Sequence, residues 1–319
     1  MSFDETVGDE HEKLRLDVYL AERIEDASRS FVKRLIKDGR VRVNANLCKR
    51  PSRIMTAGDR VEADIPPPPE TDLLPEDIPL PILHEDEEVL VVDKPSGMVV
   101  HPAPGHYTGT LVHAVLHHCP DFQRPGADPQ RPGIVHRLDR FTSGVMVIAK
   151  TPRAFTHLAR QAREHAFDRR YLALVRGDFD EESGRIVAAV GRSTADRKRM
   201  SVTGVGGRDA VTRFEVLERF GAAALLGLRL ETGRTHQIRV HLRFAGRPVL
   251  GDPVYGVTDY GEFRVPGEVR AALERLEGQA LHAELLGFEH PGTRERMAFS
   301  SPPPPDFQSV LDAFREHLR

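Results

Sequence analysis

Only two cysteines, Cys48 and Cys119, occur in 319 residues, too few for a disulfide framework or a four-thiolate zinc site. No apolar run approaches the ~18 residues that a membrane-spanning helix needs, so no membrane association is expected. Residues 1–12 carry five acids and no base and lack a signal-peptide pattern, which makes the chain read as cytoplasmic. A Walker loop and a G-x-G-x-x-G turn are both missing, and Gly204-Val205-Gly206-Gly207 stands outside any strand-to-helix context. Nucleotide hydrolysis and nicotinamide redox chemistry therefore lose support, and no cofactor is expected. His236 and His241 are five residues apart rather than the four of a helical zinc pair, and His117-His118-Cys119 has no partner cluster in the sequence. No metal is expected either. Ser143 lacks a G-x-S-x-G elbow and reads as a turn residue rather than a nucleophile.

What is present favours more than one folding unit, because 319 residues exceed the usual size of one core. A hydrophobic fraction of 39% with 29% charged residues is that of a globular protein. The net charge of -3 hides an uneven spread, since residues 13–64 hold thirteen Lys and Arg against eight Asp and Glu. Pro66-Pro67-Pro68-Pro69 marks a stiff, extended junction. These features predict an acidic flexible tail over 1–12, a small basic module over 13–65, a Pro-rich linker over 66–79 and a large domain over 80–319.

In the basic module, Ser28 is a candidate N-cap for a helix whose Phe31, Val32, Leu35 and Ile36 share one face, ending at Gly39. Arg29, Lys33 and Lys37 recur every four residues on the other side, with Arg34 at the edge. Arg40-Val41-Arg42-Val43 alternates like a half-buried strand, Asn44-Ala45-Asn46 reads as a turn, and a later strand follows Gly58-Asp59. Most such charge runs are simply solvated faces. Here Leu14-Arg15-Leu16-Asp17, Ser30-Phe31-Val32-Lys33-Arg34-Leu35-Ile36 and Gly39-Arg40-Val41-Arg42-Val43-Asn44 together resemble the S4-type RNA-binding domain. That resemblance implies a module gripping folded RNA through its backbone.

Beyond the linker the pattern predicts a strand over 89–94, a helix over 110–118 and a Pro/Gly-rich loop over 120–133. A short, almost wholly β-branched run, Val145-Met146-Val147-Ile148-Ala149, predicts a strand buried on both faces. A helix over 154–166 and strands over 171–175, 213–217, 225–230, 285–288 and 297–299 complete the reading. Strands outnumber helices and come in consecutive pairs, so the expected class is α+β, with a mixed, mainly antiparallel sheet and flanking helices.

Two stretches concentrate chemistry. His136-Arg137-Leu138-Asp139-Arg140-Phe141-Thr142-Ser143-Gly144 places ionisable groups and a turn glycine on a loop feeding the core strand. A lone carboxylate there is either a site or a structural ion pair. Thr232-Gly233-Arg234-Thr235-His236-Gln237-Ile238-Arg239-Val240-His241-Leu242-Arg243 reads as a strand-to-helix turn in which Arg234, His236 and Gln237 gather donors suited to an anion. Ile238, Leu242 and Ala245 mark the buried face of the following helix, leaving Arg239 and Arg243 side by side. A helix anchored by surface ion pairs is the plainer alternative.

Both stretches, with Arg170-Tyr171, Ala173 and Gly177, Gly251-Asp252-Pro253 with Tyr255-Gly256, Lys94-Pro95-Ser96-Gly97, and Leu281-His282-Ala283 with His290-Pro291, resemble the RluA-type RNA pseudouridine synthases, and within them the D-like subgroup that acts on the large ribosomal subunit. The blocks fall in family order across most of residues 80–300. The resemblance implies a cofactor-free isomerisation of uridine to pseudouridine in structured RNA, most readily large-subunit ribosomal RNA or a ribosomal precursor particle, by a monomeric enzyme.

It also implies the roles of individual residues. Asp139 is the catalytic carboxylate, and a buried carboxylate needs a nearby cation to stay ionised, a part that falls to Arg239. Tyr171 lies against uracil, since an aromatic face holds a ring while permitting rotation. Arg137 holds RNA or fills the space of a flipped nucleotide, and Arg234 and His236 contact substrate. Arg29, Lys33, Arg34 and Lys37 grip RNA from the basic module. The loop carrying Arg197 and Lys198 serves equally well as a phosphate clamp or as a solubilising surface. Attack on the sugar, attack on uracil C6 and removal of a sugar proton all stay open for Asp139. The alternatives to a ribosomal RNA enzyme are a transfer RNA pseudouridine synthase and a noncatalytic RNA-binding assembly factor. A glycosidase or nucleoside hydrolase would need a second carboxylate near Asp139.

Overall fold

In a computed structural model the described residues are 2–24, 29–65, 73–103, 105–126, 128–193, 199–204, 206–256, 260 and 263–318. The chain divides into two compact units, a smaller one built on Met1–Leu74 and a larger one built on Pro75–His101, Gly109–Ser193 and Arg199–Arg319.

The smaller unit contains β1 (Ser2–Thr6), α1 (Leu16–Arg23), α2 (Arg29–Lys37), β2 (Val41–Val43), β3 (Asn46–Leu47) and β4 (Arg60–Asp64). Its strands run in the order β1-β4-β2-β3, all antiparallel. Alternation along β2 and β4 points Val41, Val43, Val61 and Ala63 inward, where they meet Leu16, Tyr19, Leu20, Val32, Leu35 and Ile36 from the helices. Helix α2 stops where expected, at Gly39 with φ of 74°. Asn44 and Ala45, both at positive φ, make the tight turn between β2 and β3. The expected cap Ser28 lies outside the described residues.

The acidic tail is the first correction. Ser2–Thr6 is an edge strand paired along its whole length with β4. Its charges are used: Asp4 accepts from Arg60 at 2.6 Å and Glu5 from Arg23 at 2.8 Å, while Val7 is buried and Phe3 packs edge-on against Tyr19. Two apolar residues four apart leave too sparse a pattern to read as a strand from sequence.

The larger unit contains β5 (Ile82–Glu85), β6 (Val89–Lys94), α3 (Leu111–His118), β7 (Ser143–Ala149), α4 (Pro152–Arg163), β8 (Asp168–Arg176), β9 (Ser183–Val187), β10 (Val190–Arg192), β11 (Met200–Val202), β12 (Val211–Arg219), β13 (Ala223–Leu230), α5 (Gln237–Phe244), α6 (Gly267–Glu274), β14 (Leu281–Glu289), β15 (Arg296–Ser300) and α7 (Pro305–His317). Nine strands form one sheet in the order β5-β6-β7-β14-β8-β13-β12-β9, with β15 added to β14. Among the described residues only the β7/β14 pair is parallel, so the sheet is mixed and mainly antiparallel, as expected. Among the described residues, no helix is long and apolar enough to cross a membrane.

Every residue of β7 is buried. Helix α4 covers one side through Ala154 and Leu158. Helices α6 and α7 cover β8 and β13 through Val269, Leu273, Phe307, Val310, Leu311 and Phe314. The sequence pattern does not separate out these last two helices, nor β5, β9, β10 and β11, because their periods are short or broken by proline and glycine.

Strand β14 divides its partners. His282 and Ala283 lie beside β7, whereas Leu285 to Glu289 lie beside β15. Gly144 opens β7 at φ of 117°, and a Cβ there would sit 2.2 Å from the Ala283 carbonyl oxygen. A Gly144→Ala change combines a disfavoured backbone with a clash against β14, and is expected to cost roughly 3 kcal/mol in chemical denaturation. Gly97→Ala also falls at positive φ but meets nothing within 4 Å, so about 1 kcal/mol is expected there. Equal losses would contradict this account.

Candidate active site

Asp139 sits on the loop that enters β7, and three sets of bonds hold that loop. The Thr142 N–H donates to the Asp139 carbonyl at 3.0 Å, closing a tight turn. Thr142 Oγ1 accepts from Gln279 at 3.0 Å, and Ser143 Oγ meets His282 Nδ1 at 2.9 Å. Fully buried Lys94 donates to the carbonyls of Pro95 at 2.8 Å, Met98 at 3.0 Å and Arg140 at 3.2 Å, tying the residue after Asp139 to the 95–98 turn. Burial pulls the Lys94 pKa down to about 7, opposed by Asp139 and Asp93. His136 accepts the Val147 N–H at 3.1 Å, and burial, reinforced by the charge of Arg169, takes its pKa down to about 3. It is a neutral structural group.

The second stretch is equally fixed. His236, left-handed at φ of 55°, is the N-cap position of α5. Gln237, expected to offer donors to a ligand, instead serves the fold. Its Oε1 accepts from Thr232 Oγ1 at 2.8 Å and from the Arg234 N–H at 3.0 Å, and its Nε2 donates to the Val211 carbonyl at 3.0 Å. His241 meets Thr212 Oγ1 and the Ala188 carbonyl, each at 2.9 Å. Arg239 and Arg243 do not share an open face. Arg239 is 5% exposed, whereas Arg243 turns to the Tyr255 carbonyl at 3.0 Å.

Buried Arg239 joins two carboxylates. Its Nε and one terminal nitrogen donate to Asp252 at 2.7 and 2.8 Å, a bidentate fork, and the other terminal nitrogen donates to Asp139 Oδ2 at 2.8 Å. Asp252 has no exposed surface, and Oδ1 also accepts the N–H groups of Val254 at 2.9 Å and Tyr255 at 3.0 Å. Burial alone would raise the Asp252 pKa, but the Arg239 hydrogen bonds and charge outweigh it and hold it below the ordinary value. Burial opposes the charge on Arg239 as well, and its two carboxylates raise its pKa overall. The ring of Tyr255 lies 5.0 Å under the guanidinium.

Asp139 is 17% exposed and lines a cavity of about 240 Å³. His236 Nε2 stands 3.8 Å from Asp139 Oδ1. His236 Nδ1 meets the Tyr255 hydroxyl at 2.9 Å, and that hydroxyl accepts the Met200 N–H at 2.8 Å. Burial lowers the His236 pKa, against the pull of Asp139, so the ring is neutral near pH 7.

Tyr171, on β8, lines the same cavity and is 7% exposed. Burial raises its pKa, with Arg169 opposing and Asp139 adding to the rise. Arg137 and Arg234 line the cavity too, Arg234 anchored through Nε to the Asp209 carbonyl at 3.3 Å. Of the site residues expected on the large domain, the six that are described, Asp139, Tyr171, Arg239, Arg137, Arg234 and His236, therefore meet at one place.

In the smaller unit Lys33, Arg34 and Lys37 are exposed on α2, and Lys33 lies 3.8 Å from buried Asp17. Arg29 begins that helix. Arg197 and Lys198 fall outside the described residues. The sequence alone assigns no role to Asp252, Tyr255 or Arg169. Gly251-Asp252-Pro253 enters there only as part of the family resemblance, and nothing local shows that its carboxylate meets Arg239.

Glu85, His118 and Cys119 do form a potential ligand cluster, with atoms within 4.8 Å of one another, so His118-Cys119 has a partner that the sequence hid. The Lys150 ammonium already stands 2.7 Å from Glu85, a cation where a metal would compete, and burial pushes the Cys119 thiol up to about 11.

Residues 88–244 match the family model of RNA pseudouridylate synthases, and residues 14–61 match that of the S4 domain. An uncharacterised RNA pseudouridine synthase of Bacillus subtilis is 43% identical over 98% of this chain and 98% of its own. The chain belongs to the RNA pseudouridine synthase family. The ribosomal large subunit pseudouridine synthase D of Pseudomonas aeruginosa is 43% identical over 95% of this chain and 92% of its own. Among solved structures, human RNA pseudouridylate synthase domain containing 1 matches with a TM-score of 0.56 at 25% identity, covering 75% of this chain and 96% of that one. In this pseudouridine synthase the cavity holding Asp139 thus lies within the region shared by the family.

Asp252 has a measurable signature. Its folded pKa lies below the ordinary 3.8, so its stabilisation is present above that value and is lost as pH falls through the lower folded one. Asp252→Asn leaves Arg239 short of a buried partner, and about 3 kcal/mol or more of stability should go at pH 7. In urea titrations the gap between wild type and variant is expected to narrow below about pH 4. A gap independent of pH would rule out the charge of Asp252 as its source.

Proposed function

We propose that this pseudouridine synthase isomerises uridines in large-subunit ribosomal RNA, with Asp139 as the catalytic carboxylate. The observation that carries this is the asymmetry of Asp139. One oxygen is held by Arg239 at 2.8 Å, whereas the other has His236 Nε2 at 3.8 Å, and the residue lines a cavity that Tyr171 also lines.

The reaction breaks the bond from uracil N1 to the sugar C1′, turns the base, and joins C5 to the same carbon. The C5 proton leaves, N1 gains one, and no water enters the product. Each route considered for the carboxylate, at the sugar carbon, at uracil C6 or at a sugar proton, needs an ionised group with one free oxygen. Arg239 holds one oxygen of Asp139 at 2.8 Å in a half-shielded site, and Asp252 keeps Arg239 in position. Tyr171 offers an edge or face to the ring as it turns.

The glycosidase reading requires a second carboxylate able to trade protons. Asp252 is the near candidate, yet both its oxygens are bound by Arg239, one of them also by two backbone N–H groups, and no surface is open to substrate. That arrangement favours recapture of the uracil over its release. Support for a large-subunit RNA substrate comes from the relative named for that activity, together with the S4 domain and its exposed Lys33, Arg34 and Lys37.

Incubated with unmodified large-subunit RNA and no added metal, wild-type protein is expected to create reverse-transcription stops after carbodiimide treatment. Asp139→Asn is expected to reduce them by about 10^4-fold or more while still binding RNA. Equal signal from both proteins would end the assignment. Replacing Lys33, Arg34 and Lys37 together by Glu is expected to weaken RNA binding and flatten its log–log salt dependence by roughly 2 to 3 units. An unchanged slope would remove α2 from the RNA interface.

A further inference from the structure

Strand β8 sends Arg169 and Tyr171 to the same side of the sheet, two residues apart, and both line the Asp139 cavity. Arg170, between them, belongs to the other side, where it stands opposite Arg229 of β13. Arg169 is partly buried. Its Nε is shielded from solvent without a hydrogen-bond partner, so its terminal nitrogens are the ones that a ligand can reach. The guanidinium lies over Gly233, where a Cβ would meet its terminal nitrogens at 3.0 and 3.7 Å. Gly233 has no positive φ to explain it. Its lack of a side chain leaves the space the guanidinium occupies.

The charges around the cavity show why a cation of this kind is needed. Asp139 and Asp252 together carry two negative charges against the one of Arg239, whose nitrogens are committed to them. A bound nucleotide adds a phosphodiester, hence another negative charge, beside an already anionic centre. Each of the three Arg239 nitrogens already donates to one of these carboxylates. Arg137 is exposed at the rim, and Arg234 is anchored to the Asp209 carbonyl. Arg169 stands deeper, close enough for its charge to act on both His136 and Tyr171.

We infer that Arg169 is a substrate-binding residue that holds a phosphodiester flanking the target uridine, fixing the nucleotide so that its base meets Tyr171 and its sugar meets Asp139. The inference rests on the proposed uridine-binding role of the cavity. It adds a ligand atom class, the phosphate oxygen, and gives a role to a residue that the isomerisation chemistry leaves unused.

The test uses full-length protein and a large-subunit RNA stem-loop that wild type modifies, together with versions carrying a neutral methylphosphonate at one or the other linkage beside the target uridine. Arg169→Gln is expected to raise KM by about tenfold, leave kcat within about threefold, and lower the salt slope of RNA binding by about one unit. Arg169→Lys is expected to recover most of the KM, because a point charge suffices for a phosphate. At one linkage, methylphosphonate and Arg169→Gln are expected to be non-additive, since each removes the same contact. A fall in kcat with KM and salt slope unchanged, or losses that multiply at both linkages, would overturn the inference. Should Arg169→Gln not fold, the neutral Arg169→Met against the methylphosphonates gives the same reading through its non-additivity. Salt-dependent binding is read without turnover, so finding no large-subunit stem-loop that wild type modifies would count against the substrate proposal and leave Arg169 decided by the salt slope.

Discussion

The site depends on one buried guanidinium. Arg239 draws together a loop from before the core strand, its own helix and a turn beyond it, and it does so with a bidentate bond on one side and a single bond on the other. A fork gripped at Asp252 cannot rotate, so the nitrogen facing Asp139 is fixed in direction as well as distance. An isolated charge so shielded would be costly, and the two carboxylates offset that cost. A lysine could supply charge but not the two-sided planar geometry.

Around this centre the fold's polar side chains act mostly as fasteners. Lys94, Gln237, His241 and His282 are all nearly inaccessible to solvent, and each spends its hydrogen bonds on loop backbone or on neighbouring hydroxyl groups. Their work is to hold the two loops that carry Asp139 and His236. Buried polar groups that are fully satisfied restrict a loop to one shape, which is what a site needing a fixed carboxylate requires.

Much of this is legible in the amino-acid order. The β-branched run 145–149 reads as a buried strand because strand burial on both faces erases alternation, and the structure agrees. The cation ridge of α2 and the turn at Asn44-Ala45 follow from helical spacing and turn chemistry. Asp139 stands out as a lone carboxylate on a loop, and its residue partners follow from family resemblance. Other features are hidden for definable reasons. Periodicity assigns Arg239 to an open helix face because it cannot see that Asp139, 100 residues away, will bury it. Asp252 carries no local mark. Strand β1 is held by ion pairs and backbone pairing rather than by an apolar stripe, and α7 follows a proline run that reads as loop.

The parallel pairing of β7 with β14 has a consequence for the order in which the molecule comes into being. Ser143 and His282 are 139 residues apart yet share a hydrogen bond at 2.9 Å, and Gly144 fits only against the Ala283 backbone. Closing so long a loop is slow relative to local pairing, whereas the smaller unit completes its sheet within the first 64 residues. On a growing chain, the S4 domain has every strand it needs long before β14 emerges. The loop carrying Asp139 acquires its support only when the last strands arrive, so an unfinished chain carries a complete S4 domain and no assembled pairing of Asp139 with its supports.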